Sequence, residues 1–313
     1  FLEEMYPAYG NLVTRDVATR AIFDVCVNQK LGINGERMVY LDLSHKDPKE
    51  LDVKLGGIIE IYEKFTGDDP RKVPMKIFPA VHYSMGGLWV DYNQMTNIKG
   101  LFACGECDYS QHGANRLGAN SLLSSIYGGM IAGPNAVEYA NGQERATEDL
   151  SSTLFEQAAK KEQEKFDHIM SMDGDENPYS LHKELGELMT DNVTVVREND
   201  KLKKTDEKLQ ELMERYQKIN VGDSSKWANQ SASFTRQLWN MLQLARVITQ
   251  GALARDESRG GHYKPEFPDR NDEDWLKTTK AKFNPENNGP DLEYEDVDVS
   301  LIKPRKRDYS KEK

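Results

Sequence analysis

A long charged stretch, from about residue 145 to 257, most constrains the fold, because its apolar positions recur at helical spacing. It predicts amphipathic helices over about 148–171, 180–190, 197–220 and 229–257. One stripe along the last of these contains Phe234, Leu238, Met241, Leu242, Ala245 and Ile248. A stripe of this kind is typical of a helix that packs in a bundle core. The stretch is therefore predicted to form an antiparallel helical bundle, and Gly260-Gly261 is predicted to end its last helix.

The first 77 residues mix helical and extended signals. Thr14 or Asp16 could begin a helix, because apolar residues follow at helical spacing. The run from Met38 to Leu43 predicts a strand. A second helix is predicted with Pro48 at its first position, where a missing N–H costs nothing, and with Gly67 at its end.

Residues 78–140 change to short apolar runs separated by turns. Three of these runs predict strands, namely Ile77–Val81, Gly87–Asp91 and Gly100–Cys104. An apolar helix follows, with Asn120 or Ser121 as its N-cap. The remaining residues, 262–313, are rich in Pro, Asp and Asn and end in a strand-like run from Tyr294 to Ile302. They predict a small appended domain or a wrapping tail. The sequence as a whole predicts a multidomain fold that combines α+β and α/β parts.

Charge and hydropathy exclude some functions. Lys and Arg number 41 against 52 Asp and Glu, and the net charge of −11 argues against a nucleic-acid partner. The basic cluster at 303–307 could be a solvated tail or a phosphate or lipid contact. No run of about 18 apolar residues occurs, so we expect no spanning helix. The opening residues read as the middle of a longer protein, so we expect the chain to be a piece of one.

The three cysteines, Cys26, Cys104 and Cys107, cannot all pair and do not suggest a disulfide scaffold. The spacing of Cys104 and Cys107 is that of a redox pair, but a single pair is weak evidence for zinc or thiol exchange. We therefore expect buried structural cysteines and no metal site.

A glycine-rich segment concentrates the residues that could bind a ligand. Arg116 lies between Gly113 and Gly118 in otherwise apolar surroundings, and its planar fork of donors suits a carboxylate. The glycines allow the backbone to approach a flat or anionic ligand closely. His82, which follows an apolar run, could donate to an anion or could equally be a hydrogen-bonded core histidine.

Three further positions have open interpretations. Glu106 follows a predicted strand, where an acidic residue commonly accepts from the ribose hydroxyls of a dinucleotide; a solvated turn glutamate is the alternative. Arg15 could project from a helix start into a cleft, although a surface arginine is the simpler interpretation. The helix start around Ser121 and Leu122 offers free backbone N–H groups that could stabilise negative charge on a reduced flavin.

Several motifs together resemble one family. Thr14-Arg-Asp, His82-Tyr-Ser-Met-Gly-Gly, Gly105-Glu106 and the segment from His112 to Leu122 are similar to those of the flavoprotein subunit of succinate dehydrogenase and fumarate reductase. Ser258-Arg-Gly-Gly-His-Tyr and the run from Phe267 to Trp275 resemble its C-terminal signature. The helical region is most similar to the bacterial type that pairs with a single di-haem membrane subunit. This resemblance covers essentially the whole chain.

The resemblance implies a role for each matching residue. Arg15 would shuttle a proton to or from the substrate, and His82 and Arg116 would clamp the dicarboxylate. Glu106 would bind the FAD ribose, and Ser121 and Leu122 would contact the flavin ring through their backbone. An arginine is a poor base, since its pKa exceeds about 12, so acids such as Asp16 would have to relay the proton.

The resemblance also implies domains and partners. Residues 1–77 would complete a capping domain, 78–144 an FAD-binding domain, 145–260 a helical domain and 261–313 a C-terminal domain. A missing N-terminal half would carry the pyrophosphate-binding turn and the histidine that bonds covalently to FAD. The implied partners are an iron–sulfur subunit and a cytochrome b membrane anchor, with the chain peripheral on the cytoplasmic face. An L-aspartate oxidase and an inactive helical interaction module remain alternatives.

Overall fold

The computed structural model describes residues 1–109 and 111–305 and divides them into two compact units. The first ends at His82 and the second begins at Tyr83. The predicted basic cluster ends outside the described residues. The division into four domains remains a prediction.

The described residues of the first unit form three α-helices and one small sheet. The helices are α1 (Leu2–Met5), α2 (Arg15–Phe23) and α3 (Pro48–Thr66). A π-helical turn, Asp24–Asn28, continues α2. Strands β1 (Val39–Leu41) and β2 (Met75–Ile77) pair antiparallel, with Val39 opposite Ile77.

Local sequence signals explain the bounds of α3. The Asp47 carboxylate accepts a hydrogen bond from the Lys49 N–H, and Pro48 occupies the first turn as predicted. Gly67 ends the helix in the left-handed conformation, with φ of 79°, which glycine adopts without strain. The sequence thus predicts both ends of this helix correctly.

The second unit is built largely of helices. They are α4 (Asn120–Asn141), α5 (Ser152–Ser171), α6 (Pro178–Met189), α7 (Asn199–Tyr216), α8 (Gln230–Ala254) and the short α9 (Asp272–Trp275). A second π-helical turn, Thr190–Thr194, follows α6. Strands β3 (Lys277–Asn284) and β4 (Gly289–Asp296) form an antiparallel hairpin.

The main apolar core lies among α5, α6, α7 and α8, as the charged amphipathic stretch predicts. Leu181, Leu209, Leu238 and Leu242 are fully buried there. Removing this much apolar surface from water is the main driving force for packing the helices. The predicted stripe on α8 is buried at Leu238, Leu242 and Ala245, whereas Ile248 at its end is half exposed.

Several sequence predictions were wrong. Instead of three strands between residues 77 and 104, the structure has β2, which ends at Ile77, and isolated bridges such as Val90–Thr96 and Met95–Phe102. The last long helix ends at Ala254, where Arg255 adopts an extended conformation, and therefore not at the predicted Gly260-Gly261. The predicted C-terminal strand begins and ends earlier, at β4.

The three cysteines differ in their exposure to solvent. All three thiols are free, but only Cys26 is buried, and burial raises the pKa of its thiol. Cys104 is partly buried and Cys107 is exposed, where its thiol donates to the Cys104 carbonyl at 3.2 Å. This exposure contradicts the expectation that the cysteines at 104 and 107 are buried structural residues.

Candidate active site

A hydrogen bond to the backbone holds Arg116 in place, and its guanidinium stacks on an aromatic ring. Its guanidinium carbon lies 5.3 Å from the centre of the Tyr83 ring, and its backbone N–H donates to the Met85 sulfur at 2.8 Å. One guanidinium nitrogen donates to the carbonyl of Leu117 at 3.1 Å. Within the described part of the chain, no carboxylate pairs with this guanidinium. An arginine guanidinium that pairs with no carboxylate of its own chain can donate hydrogen bonds to the carboxylate of a ligand.

Ser124, in the first turns of α4, connects His112 and Tyr83 to the start of this helix. Its hydroxyl donates to the Ser121 carbonyl at 2.8 Å. The same oxygen lies 3.0 Å from His112 Nε2 and 3.3 Å from the Tyr83 hydroxyl. Because the single Ser124 proton is already donated, both His112 and Tyr83 must donate to Ser124. The proton balance therefore assigns the Nε2–H tautomer to His112.

His112 is neutral for a physical reason. Burial lowers the pKa of its imidazole, and the positive charge of Arg116 lowers it further. The ring also meets Tyr83 edge to face, with 5.4 Å between the centroids. A neutral His112 leaves Arg116 as the positive group of this cluster.

Glu106 lies in a short 3₁₀ turn, Gly105–Cys107, that packs directly on α4. Its carboxylate is exposed and accepts a hydrogen bond from the Ser84 N–H at 2.8 Å. A methyl group on Gly128 of α4 would lie 3.1 Å from Cys104 Cβ, so only glycine permits this close contact without a shift. The turn that carries Glu106 and the helix start at Ser121 are thus parts of one packed element.

The start of α4 differs from the prediction. Ala119 occupies the N-cap in the left-handed conformation, with φ of 63°, and no side chain caps the helix. Asn120 and Ser121 therefore do not act as the N-cap. Without a cap, the first N–H groups of this 22-residue helix, including those of Ser121 and Leu122, remain available as donors. This donor set fits the electron-rich edge of a flavin ring.

The remaining predicted site residues belong to the first unit. Arg15 begins α2 and is exposed, and Thr14 occupies the N-cap position. The Asp16 carboxylate forms an ion pair with Arg20 at 3.3 Å. His82 is exposed at the end of the unit. The structure thus assembles Arg116, Glu106 and the α4 start in one unit, and leaves Arg15 and His82 in the other.

Sequence reasoning missed the roles of four residues of the site, namely Tyr83, Met85, His112 and Ser124. Tyr83 and Met85 lie within the quoted His82 motif, but nothing in their spacing shows that they contact residues 29 to 41 positions later. The buried serine on α4 has no sequence signal beyond its place in the helix. Their roles depend on tertiary contacts.

Comparison with known proteins identifies the family of this chain. A family model described as an FAD binding domain matches residues 2–122, and one described as fumarate reductase flavoprotein C-term matches residues 182–309. The succinate dehydrogenase flavoprotein subunit of Bacillus subtilis (strain 168) is 76% identical over 313 residues, covering 100% of this chain and 53% of the relative. The chain belongs to the succinate dehydrogenase and fumarate reductase flavoprotein family.

Other members of the family are less similar in sequence and also match most of this chain. The fumarate reductase flavoprotein subunit of Escherichia coli (strain K12) is 39% identical over 282 residues, which cover 88% of this chain and 45% of the relative. A solved structure of E. coli quinol fumarate reductase matches with a TM-score of 0.87 and 35% identity, over 96% of this chain and 51% of that one. The chain thus spans about half the length of these family members, and its fold class is confirmed.

Proposed function

We propose that this chain is part of the catalytic flavoprotein subunit of a succinate:quinone oxidoreductase, which interconverts succinate and fumarate. The observation that carries the proposal is Arg116, whose guanidinium stacks on Tyr83 and pairs with no carboxylate of the described residues. A charged fork held in this way favours a planar carboxylate over a neutral ligand. Membership of the family makes a dicarboxylate the natural ligand.

We assign substrate binding to His82 and Arg116 and proton transfer to Arg15. His82 and Arg116 would withdraw charge from one substrate carboxylate, which stabilises the carbanion-like charge that builds up in the transition state. Arg15 is exposed at the start of α2, where its head group is free to reach a ligand. Because an arginine holds its proton strongly, Asp16 beside it would belong to a relay of acids.

We assign the cofactor contacts to Glu106 and to the start of α4. The exposed Glu106 carboxylate has an oxygen free of the Ser84 bond to accept from a ribose hydroxyl. The uncapped N–H groups of Ser121 and Leu122 would donate to the flavin ring and favour its reduced, negatively charged state. When bound, FAD supplies the acceptor for the hydride that leaves the substrate.

The domain division and the partners complete the proposal. Residues 1–77 would belong to a capping domain, 78–144 to the FAD-binding domain, 145–260 to a helical domain and 261–313 to a C-terminal domain. We further propose an iron–sulfur subunit and a cytochrome b anchor as partners, with the chain on the cytoplasmic face and FAD attached covalently outside this chain. None of the helices described combines the length and the apolar character that crossing a bilayer requires.

The test is Arg116→Ala in the full-length protein. We expect succinate oxidation to fall at least a thousandfold while the flavin stays bound, because the deleted fork acts on charge in the transition state. Turnover is measured with an artificial electron acceptor and flavin content by absorbance. Arg15→Ala should have a similar effect on turnover.

The matched control is Arg236→Ala. Arg236 lies on the exposed surface of α8, where it pairs with Glu162, so its loss should leave turnover unchanged. Normal succinate oxidation by Arg116→Ala would contradict the assigned role. Activity of the wild type with aspartate and not with succinate would contradict the proposed function and favour an L-aspartate oxidase.

A further inference from the structure

A two-residue turn, Gly260-Gly261, lies directly against the loop that carries Arg116. The Arg259 N–H donates to the His262 carbonyl at 2.8 Å and the His262 N–H to the Arg259 carbonyl at 3.0 Å, which closes the turn. The Gly261 N–H donates to the Ala114 carbonyl at 2.9 Å. Ala114 precedes Arg116 by two residues, so the turn is attached to the backbone of the arginine loop.

Only glycine can occupy position 260 in this contact. Gly260 has φ of +58°, and a methyl group there would lie 2.2 Å from the Ala114 oxygen and 3.0 Å from the Ala114 Cβ. Atoms do not approach so closely, so a side chain would force the turn and the loop apart. The neighbouring position differs, because a methyl group on Gly261 would make only ordinary contacts, at 3.5 Å to the Met85 methyl and 3.7 Å to Ala114 O.

Met85 supports the same loop. Its sulfur accepts the Arg116 N–H at 2.8 Å, and its methyl group is the atom that faces Gly261. Met85 therefore lies between the backbone of Arg116 and the turn. The arginine is held by two contacts that involve neither its guanidinium nor a ligand.

The turn itself is anchored to the C-terminal end of α8. The His262 imidazole lies 3.0 Å from the Arg255 carbonyl through Nε2, and its Nδ1 faces the guanidinium of the partly buried Arg197. Arg259 forms two hydrogen bonds, at 2.8 and 2.9 Å, with the fully buried carboxylate of Glu257. Because side-chain hydrogen bonds fix both flanking residues, Arg259 and His262, the turn is a rigid support.

We propose that the Gly260-Gly261 turn is a positioning element that fixes the backbone, and thereby the guanidinium direction, of Arg116. It links the helical part of the second unit to the ligand-binding arginine. The inference rests on the proposed function for the identity of the ligand. The contact between the turn and the Ala114 backbone stands on geometry alone.

The test is Gly260→Ala in the full-length holoprotein. We expect the KM for succinate to rise at least tenfold and kcat/KM to fall by ten- to a hundredfold, because displacing a binding group by about 1 Å costs up to about a hundredfold. Flavin content should remain unchanged, and the affinity for malonate, a dicarboxylate that cannot be oxidised, should fall in parallel with the rise in KM. Hydrogen exchange of residues 112–118 should become faster.

Two control variants separate positioning from general effects of replacing glycine. Gly261→Ala changes the same turn but makes no close contact, so KM should stay within about twofold of the wild type. Gly222→Ala imposes the same left-handed strain, with φ of +73°, in open space, and should lower stability without changing KM. If Gly260→Ala leaves KM, malonate affinity and exchange of residues 112–118 at the wild-type values, the inference is overturned.

A second variant covers the case in which Gly260→Ala does not fold. Met85→Leu keeps the side-chain volume but removes the acceptor of the Arg116 N–H, so we expect a KM three to ten times higher and faster exchange at Arg116. An unchanged KM with unchanged exchange would again overturn the inference. A wild-type protein that does not oxidise succinate would instead contradict the proposed function, while the exchange experiment would still test the support of the loop.

Discussion

His262 shows how its surroundings fix the protonation of a single side chain. Burial, together with the positive charge of Arg197, lowers the pKa of its imidazole to about 4. Burial also lowers the pKa of Arg197, to about 10, so this arginine stays charged at neutral pH. A neutral His262 can donate to the Arg255 carbonyl from Nε2 and accept from Arg197 at Nδ1. A second proton would remove that acceptor.

The low pKa predicts how stability depends on pH. The imidazole of an unfolded chain has a pKa of about 6.5, so between pH 6.5 and 4 the unfolded state binds more protons. The contribution of His262 to the free energy of unfolding is therefore fully present above pH 6.5 and is lost as the pH falls through 4. Its upper limit is about 3 kcal/mol.

We expect His262→Gln to flatten this part of the pH profile. Unfolding temperatures followed by circular dichroism at pH 7, 6, 5 and 4.5 provide the measurement. The exposed His45, replaced by Gln, is the control and should follow the wild type. A His262→Gln profile as steep as that of the wild type would show that this imidazole is not held neutral.

At the scale of elements, Arg246 ties two helices to the hairpin of β3 and β4. Its side chain on α8 is only 6% exposed and forms two hydrogen bonds with the Asp206 carboxylate on α7, at 2.9 and 3.2 Å. It also donates to the carbonyls of Asn287 and Asn288 in the hairpin turn. One buried cation on α8 thus satisfies groups on α7 and on the hairpin turn.

Removing Arg246 should therefore destabilise the second unit strongly. Arg246→Ala leaves the Asp206 carboxylate in a poorly hydrated site without its main partner, which costs about 3–5 kcal/mol. Arg236→Ala, on the same helix, removes an exposed ion pair and should cost less than about 1 kcal/mol. Thermal unfolding compares the two variants, and equal losses would refute the central role of Arg246.

The helices were largely predictable from sequence and the strands were not, for a physical reason. The ends of α3 follow from the capping Asp47, Pro48 and Gly67, which act within a few residues of the chain. An apolar run such as 100–104 can pair only if a partner lies beside it, and here Phe102 forms a single bridge. Arg116 was recognisable because an arginine between glycines has no packing role, whereas Met85 and Ser124 contribute through contacts that no local pattern encodes.

For the whole molecule, the exposed surface of α4 matters most. Leu122, Leu123, Ile126 and Met130 are between 62% and 75% exposed, although α4 is one of the most apolar helices of the chain. Contiguous apolar surface of this kind normally lies against other protein. The matched relatives are about twice as long as this chain, which leaves ample sequence to cover it.

The 313 residues expressed alone should consequently lack tight FAD and should self-associate. We expect no stoichiometric flavin absorbance and a mass above that of a monomer in light scattering. Replacing Leu123 and Ile126 with Gln should restore the monomer, whereas replacing Lys160 and Lys161, exposed charges on α5, should not. A monomeric chain that holds one FAD tightly would refute this prediction.

A ligand that accepts hydrogen bonds from the uncapped start of α4 would link the stability of this helix to ligand binding. Ala119 adopts an unfavourable backbone conformation there, and no side chain completes the hydrogen bonds of the first turn. Whatever accepts from these N–H groups finishes the helix, so part of its affinity is free energy of folding that the chain alone does not obtain. By reciprocity, conditions that fray this turn would weaken the binding of such a ligand, and the bound ligand would protect the turn against unfolding.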